Sequence, residues 1–132
     1  MSIESVLVTR LGGFAGLTAL IGTTPPRLYY GEMPQKTALP AVSYGRVTAQ
    51  RVPAMGADTG LVRARFQFDV WAANAKSARL VVEQLRLALQ RWSNTTGTVI
   101  QDIYVAGDVD LGLDPDTLEH HSAIDFEIVY VE

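Results

Sequence analysis

Two adjacent histidines, His120 and His121, and the dense acidic stretch before them are the residues of this chain best equipped for chemistry. Imidazoles bind divalent metals and move protons near neutral pH. Successive residues of a strand point to opposite faces, so this pair cannot readily grip one ion. The acidic stretch runs Asp108-Val109-Asp110-Leu111-Gly112-Leu113-Asp114-Pro115-Asp116-Thr117-Leu118-Glu119, with acids at positions 1, 3, 7, 9 and 12 of a calcium-loop count. The match fails where geometry is strictest. Gly112 replaces an oxygen ligand, Leu113 holds the turn position that requires glycine, Pro115 interrupts the ligand run, and no helices are expected on either side. The stretch reads as a solvated acidic loop, and no metal is expected.

Covalent catalysis needs a hydroxyl beside a base with a third group behind it, and no Gly-x-Ser-x-Gly elbow occurs. The phosphate-cradling Gly-x-x-x-x-Gly-Lys-Ser/Thr pattern is also missing. Gly12-Gly13-Phe14-Ala15-Gly16 follows no strand, so a bend or a close helix contact explains it better. Asp69, Asp125 and Glu127 could serve acid or base chemistry. Asp69, however, shares a charged strand face with Arg63 and Arg65, and Asp125 and Glu127 are candidate ion-pair partners for those arginines across a sheet. Trp71, Trp92, Tyr29, Tyr30 and Tyr44 could stack on bases, but aromatics in such elements usually fill cores and interfaces. The residues point to no enzyme and no cofactor.

The elements that must position these groups are legible in the apolar spacing. Ile3, Val6, Leu7, Leu11 and Phe14 behind Ser2 give an amphipathic helix. Gly12-Gly13 should break it, leaving a second short helix over Phe14 to Ile21 closed by Gly22. Short strands are expected over Arg27 to Tyr30 and Ala41 to Thr48, with a flexible connection over residues 51 to 60. Val62, Ala64, Phe66, Phe68 and Val70 alternate with Arg63, Arg65, Gln67 and Asp69, which is the period of a strand with one buried face. Asn74 or Ser77 can cap a helix reaching Trp92, with Val81, Leu85, Ala88 and Leu89 on its apolar stripe. A strand over Thr98 to Val105, the acidic loop, and a final strand carrying Ile124, Phe126, Ile128 and Tyr130 complete the chain. The fold class is α+β: a mixed or antiparallel sheet of about five strands packed by two main helices, in the order α-β-β-β-α-β-β, as a single domain over residues 1 to 132.

The 132 residues are 48% hydrophobic, enough to bury a core, and a net charge of −3 is unlike that of a phosphate-binding protein. No cysteine is present, which excludes disulfides and thiolate chemistry. Met1-Ser2-Ile3-Glu4 starts no cleavable leader, and no apolar run is long enough to span a bilayer, so no membrane is expected and cytoplasmic assembly is. The charge is unevenly placed: residues 1 to 101 hold all 11 bases and five acids, while residues 102 to 132 hold nine acids and no base. Either the C-terminal strand pairs with basic strands of its own subunit, or a basic flank of one subunit meets an acidic flank of the next.

Three stretches resemble the tail-completion family of long-tailed phages and prophages, relatives of tail terminators. They are Arg27-Leu28-Tyr29-Tyr30-Gly31-Glu32-Met33-Pro34-Gln35 followed by Leu39-Pro40-Ala41-Val42-Ser43-Tyr44; then Val62-Arg63-Ala64-Arg65-Phe66-Gln67-Phe68-Asp69-Val70-Trp71-Ala72 leading into residues 73 to 89; and finally residues 122 to 132. Their order and spacing carry the resemblance, which covers nearly the whole chain.

The resemblance implies a virion structural protein at the head-tail junction, with no catalytic residue or cofactor. It implies a homohexameric ring that caps the tail tube, ends its polymerisation and meets a head-side connector or stopper, while DNA passes through the lumen without specific binding. On charge grounds Arg63, Arg65, Asp125 and Glu127 are the expected subunit contacts. Arg51, Met55 and Asp58 in one long connection, and Asp108, Asp110, Asp114 and Asp116 in the other, are the expected partner-facing or lumen-lining residues. A small ligand-binding or enzymatic α+β domain, or a related head-tail connector or minor tail component, is the alternative.

Overall fold

The computed structural model describes residues 2 to 23, 25 to 34, 37 to 94 and 98 to 132, and leaves out the side chains of Ala54, Ala57 and Asp58. The expectation for Asp58 as a partner-facing side chain therefore lies outside the described residues. Helix α1 (Ile3–Gly12) starts on Ser2, whose hydroxyl accepts the Ser5 N–H at 3.1 Å. It stops where Gly13 caps it, and α2 (Ala15–Ile21) departs at 84° before closing on Gly22. A Cβ on Gly16 would strike the Gln84 amide, so the glycine cluster serves both a bend and a close helix contact.

The strands are β1 (Leu28–Tyr30), β2 (Ala41–Ala54), β3 (Ala57–Ala72), β4 (Ile100–Leu113) and β5 (His120–Val131), with α3 (Ala75–Leu89) between β3 and β4. They form one sheet in the order β1-β2-β3-β5-β4. The β1/β2 pair is parallel, and the β2/β3, β3/β5 and β5/β4 pairs are antiparallel. The alternation expected over Val62 to Val70 is the central strand: Val62, Ala64, Phe66, Phe68 and Val70 are fully buried, and Ile124, Phe126 and Ile128 of β5 extend that face. All three helices contribute to the same core. The apolar residues of α1 and α2 are spent there, and among the described residues no single helix is long and apolar enough to cross a membrane.

Two expectations are corrected. Residues 51 to 60 are not an irregular connection: β2 and β3 continue as a paired hairpin to Ala54↔Ala57, turning at Met55-Gly56. Pro53 is accommodated beside a register shift, on a stretch of β2 that β1 no longer pairs, where its missing N–H costs no ladder bond to an outer strand. Gly56, at φ 79°, supplies the turn. Likewise Asp108, Asp110 and Leu113 lie within β4, paired to β5 as far as Leu113↔His120, and only residues 114 to 119 form the turn. This arm is exposed on both faces, so it lacks the one-sided apolar alternation that would have marked it as a strand.

Asn74 caps α3, its Oδ1 accepting the Ser77 N–H at 2.9 Å. The helix ends one turn before Trp92 because Gln90 and Arg91 turn to β4: the Gln90 Oε1 accepts the Val105 N–H at 2.8 Å, and the Arg91 N–H donates to Ile103 O at 2.6 Å. Arg10 ties α1 to this helix. Its Nε donates to Ala88 O at 3.0 Å, and its guanidinium lies 5.3 Å from the Phe14 ring and 5.2 Å from the Trp92 ring. Arg10→Ala is expected to lower stability by about 1–3 kcal/mol, read as an earlier urea midpoint at unchanged slope.

Candidate functional site

The helices cover one face of the sheet and leave the other to solvent. Alternation places Arg63, Arg65, Gln67, Asp69 and Trp71 of β3 on that open face, beside His121, Asp125 and Glu127 of β5. Cross-strand register then decides the contacts. Glu127 lies directly opposite Arg65, yet the Arg65 guanidinium reaches diagonally to Asp125, with Nη2 to Oδ2 at 2.8 Å. Arg63 and Glu127 form no ion pair among the described residues. Of the four expected contact residues, the structure thus joins Arg65 and Asp125 within one subunit.

Asp69 takes no part in the Arg65–Asp125 pair. Its Oδ1 lies 2.9 Å from His121 Nε2 and accepts the Gln67 Nε2 at 3.0 Å, while the His121 ring stacks on Trp71 at 3.8 Å between centroids and 11° between planes. Trp71↔His121 is a register pair, so stacking follows from the pleat once the strands are aligned. This corner borders an open hollow of about 460 Å³, lined by Met33, Asp69, Trp71, Asp114 and Glu119 among others. A histidine oriented by a carboxylate is two-thirds of a nucleophilic triad. The third part fails geometrically: Ser43 stands opposite Asp69, not beside the imidazole, and among the described residues no hydroxyl hydrogen-bonds to His121. Nor, among the described residues, do three or more histidines and acids group as metal ligands.

The two hairpin arms extend from this sheet at opposite ends of its strands. At the base of the β2–β3 arm, Arg51 grips Glu132 with two hydrogen bonds of 2.8 and 2.6 Å, and Arg46 Nη1 donates to the Tyr130 hydroxyl at 3.4 Å. Met55 at its tip is fully exposed. On the β4 arm, Asp108 and Asp110 both face Arg79 of α3, at 3.9 and 3.6 Å, and Asp110 accepts the Ser122 hydroxyl at 2.8 Å. Asp114 closes the turn by accepting the Asp116 N–H at 2.9 Å, and Asp116 forms no ion pair among the described residues. The Arg51–Glu132, Arg79–Asp110 and Trp71–His121 contacts were missed by sequence reasoning, because each joins strands or helices far apart in the chain. The charge imbalance was the one signal that bases upstream must meet acids downstream.

The hydrogen bonds from Arg51 hold the Glu132 carboxyl below its ordinary value of 4.5. A depressed carboxylate stabilises the folded arm above that value and loses its contribution as pH falls through the folded pKa. Protection of the amides of residues 51 to 60 against exchange, relative to the intrinsic rate at each pH, is therefore expected to fall below about pH 4.5. Glu132→Gln should show lower protection at neutral pH and little further loss of protection on acidification. The pair is exposed, so the effect is local to the arm.

A five-stranded sheet with helices on one face, an open charged face and two projecting arms defines an α+β subunit. A chain in the "Virion of native gene transfer agent (GTA) particle" superposes with a TM-score of 0.81 at 14% identity, covering 99% of this chain and 96% of that one. Residues 5 to 131 match the family "Tail completion protein gp17", and the chain belongs to that family. It is a phage tail structural protein of the virion. No curated protein sequence matches it.

Proposed function

We propose that this subunit closes into a homohexameric ring at the head-tail junction, caps the tail tube, ends its polymerisation and presents its other surface to the head-side connector or stopper. The observation that carries the reading, beside family membership, is the placement of unlike charge on the two arms. A closed cyclic ring needs two different, complementary patches on every subunit. The β2–β3 arm and its base carry Arg46, Arg51 and Arg63, whereas β4 and its turn carry Asp102, Asp108, Asp110, Asp114, Asp116 and Glu119 with no base.

Arg63 and Glu127 are unspent charges on the open face and are assigned to contact between subunits, with Arg65–Asp125 shaping that face from within. Met55 at one tip and Asp114 and Asp116 at the other are assigned to the tube, the connector or the lumen. Carboxylates facing the lumen would repel passing DNA, so the strand slides without a specific site. The role is structural, needing no catalytic residue, metal or cofactor.

The test is the solution mass of the purified protein by light scattering, then negative-stain imaging with and without tail-tube protein. Rings of roughly six subunits, alone or on tube ends, are the expected result. A stable monomer or dimer that ignores tubes would sink the ring and turn attention to the hollow beside Trp71 as a small-ligand site.

A further inference from the structure

The two edges of the sheet are unfinished at opposite ends of the strands: Gly45 of β2 and Gly107 of β4 stand level through Gln67 and Asp125, and the free stretches run away from that level in opposite directions. On one side β1 pairs β2 only from Val42 to Tyr44, with Gly31 N–H donating to Tyr44 O. From Gly45 to Ala54, among the described residues, no strand lies outside β2. On the other side, residues 90 to 94 cover β4 only as far as Val105: Arg91 bonds Ile103, Gln90 bonds Val105, and Asn94 bridges Ile100. From Ala106 to Leu113, among the described residues, no strand lies outside β4. Long unpaired edges are templates for another chain unless they are covered.

Both edges carry exposed apolar side chains: Val47, Val52 and Met55 on the first, Val109, Leu111 and Leu113 on the second. Their charges are opposite: β2 from Gly45 to Ala54 carries Arg46 and Arg51 and no acid, and β4 carries only acids. Strand direction also agrees. Between β2 and β4 lie three antiparallel steps, so the two strands run in opposite senses. A second copy that keeps the same sheet orientation and is shifted along the strands until the two free stretches overlap therefore brings its β2 antiparallel to β4 of the first, and every further copy repeats the same step.

We infer that the free stretch of β2 in one copy lies antiparallel along the free stretch of β4 in the next, with the arginine-bearing arm over the acidic one. The sheets of successive subunits then join edge to edge. This contact rests on the ring reading and supplies its interface. It is a head-to-tail pairing, which closes when the rotation per copy divides a full turn and otherwise runs on as a filament. On this assignment Val109 and Leu111 on β4 are the seat of a neighbour's hairpin, while Asp114 and Asp116 in the turn beyond it keep the tube, connector or lumen assignment.

The chain has no cysteine, so introduced thiols report contact without background. One cysteine is placed on each arm of the same chain: Val52→Cys or Met55→Cys, combined with Val109→Cys or Leu111→Cys. Mild oxidation is expected to give a covalent ladder ending at roughly six copies for at least one combination, and no ladder for any single cysteine. Dimers from Val109→Cys or Leu111→Cys alone would mean two-fold pairing of β4 with itself and would overturn the inference. Rings that persist by mass while no combination cross-links would overturn it too, leaving the ring reading intact. Absence of rings in the unmodified protein, with or without tail-tube protein, would remove the ring reading and this contact with it. A second variant reads the same surface: Val109→Lys with Leu111→Lys should abolish rings at an unchanged unfolding midpoint, and intact rings there would count against the contact.

Discussion

Replacing Phe68 with alanine is expected to cost about 3–5 kcal/mol of folding stability, the largest effect of any single substitution considered in this chain. Phe68 is fully buried on the central strand, in the middle of an aromatic run. Its ring stacks on Tyr44 at 5.6 Å and meets Phe126 edge-on at 5.7 Å, while Tyr44 in turn meets Tyr30 at 5.4 Å. The run therefore ties β1, β2, β3 and β5 together across the helix-covered face. Alanine removes the apolar area and leaves a cavity that neighbours on two flanking strands cannot collapse to fill without shifting register. Against a total of about 5–15 kcal/mol for a domain of this size, the loss brings a substantial unfolded population within reach at physiological temperature. Urea unfolding by fluorescence of the two tryptophans checks it. A midpoint shift smaller than that of Arg10→Ala would mean the sheet repacks, contrary to this account. Met55→Ala, at a fully exposed tip, should stay within about 0.5 kcal/mol and serves as the control.

Reversing Arg63 and Arg65 together to glutamate is expected to leave a folded subunit that no longer closes into a ring. Within the subunit, Arg65→Glu breaks the pair with Asp125 and sets like charges beside Glu127. Arg65 is about half exposed, at 44%, so solvent screening limits this loss to about 1 kcal/mol. At the proposed subunit contact the effect is larger. Arg63 lies beside the free arm without an internal partner among the described residues, and a closed ring repeats the same contact at every interface, so the penalty counts roughly sixfold on closure. Native mass spectrometry reads the ring, and circular dichroism reads the fold. Intact rings in the double variant would exclude both arginines from the contact. The exchange Arg65→Glu with Asp125→Arg separates the two roles, because it restores the internal pair. Rings recovered by that exchange, on the Arg63 background, assign Arg65 to shaping its own subunit rather than touching the next.

The sequence by itself determined every element whose residues see one environment on one side. The strict alternation from Val62 to Val70, the apolar stripe of α3 behind Asn74, the break at Gly12-Gly13 and the inward face of the last strand are local consequences of period and propensity, and the structure has each of them. Resemblance along the same stretches was enough to indicate the tail-completion family, which the match over residues 5 to 131 shows. The arms were misread because a strand exposed on both faces has no buried side to impose alternation, so Pro53, Gly56 and the run of aspartates looked like loop.

Tertiary structure alone decided who meets whom. A pleat tells which face Arg65 occupies, but register and the reach of each side chain decide which groups meet. On the unbroken β3/β5 ladder His121 stands opposite Trp71 with Asp69 at its Nε2, and Arg65 reaches diagonally past its register partner Glu127 to Asp125, while Arg51 closes on Glu132 from 81 residues away. These contacts depend on strand order and alignment, which are set by the summed burial of the whole sheet and are encoded at no single position.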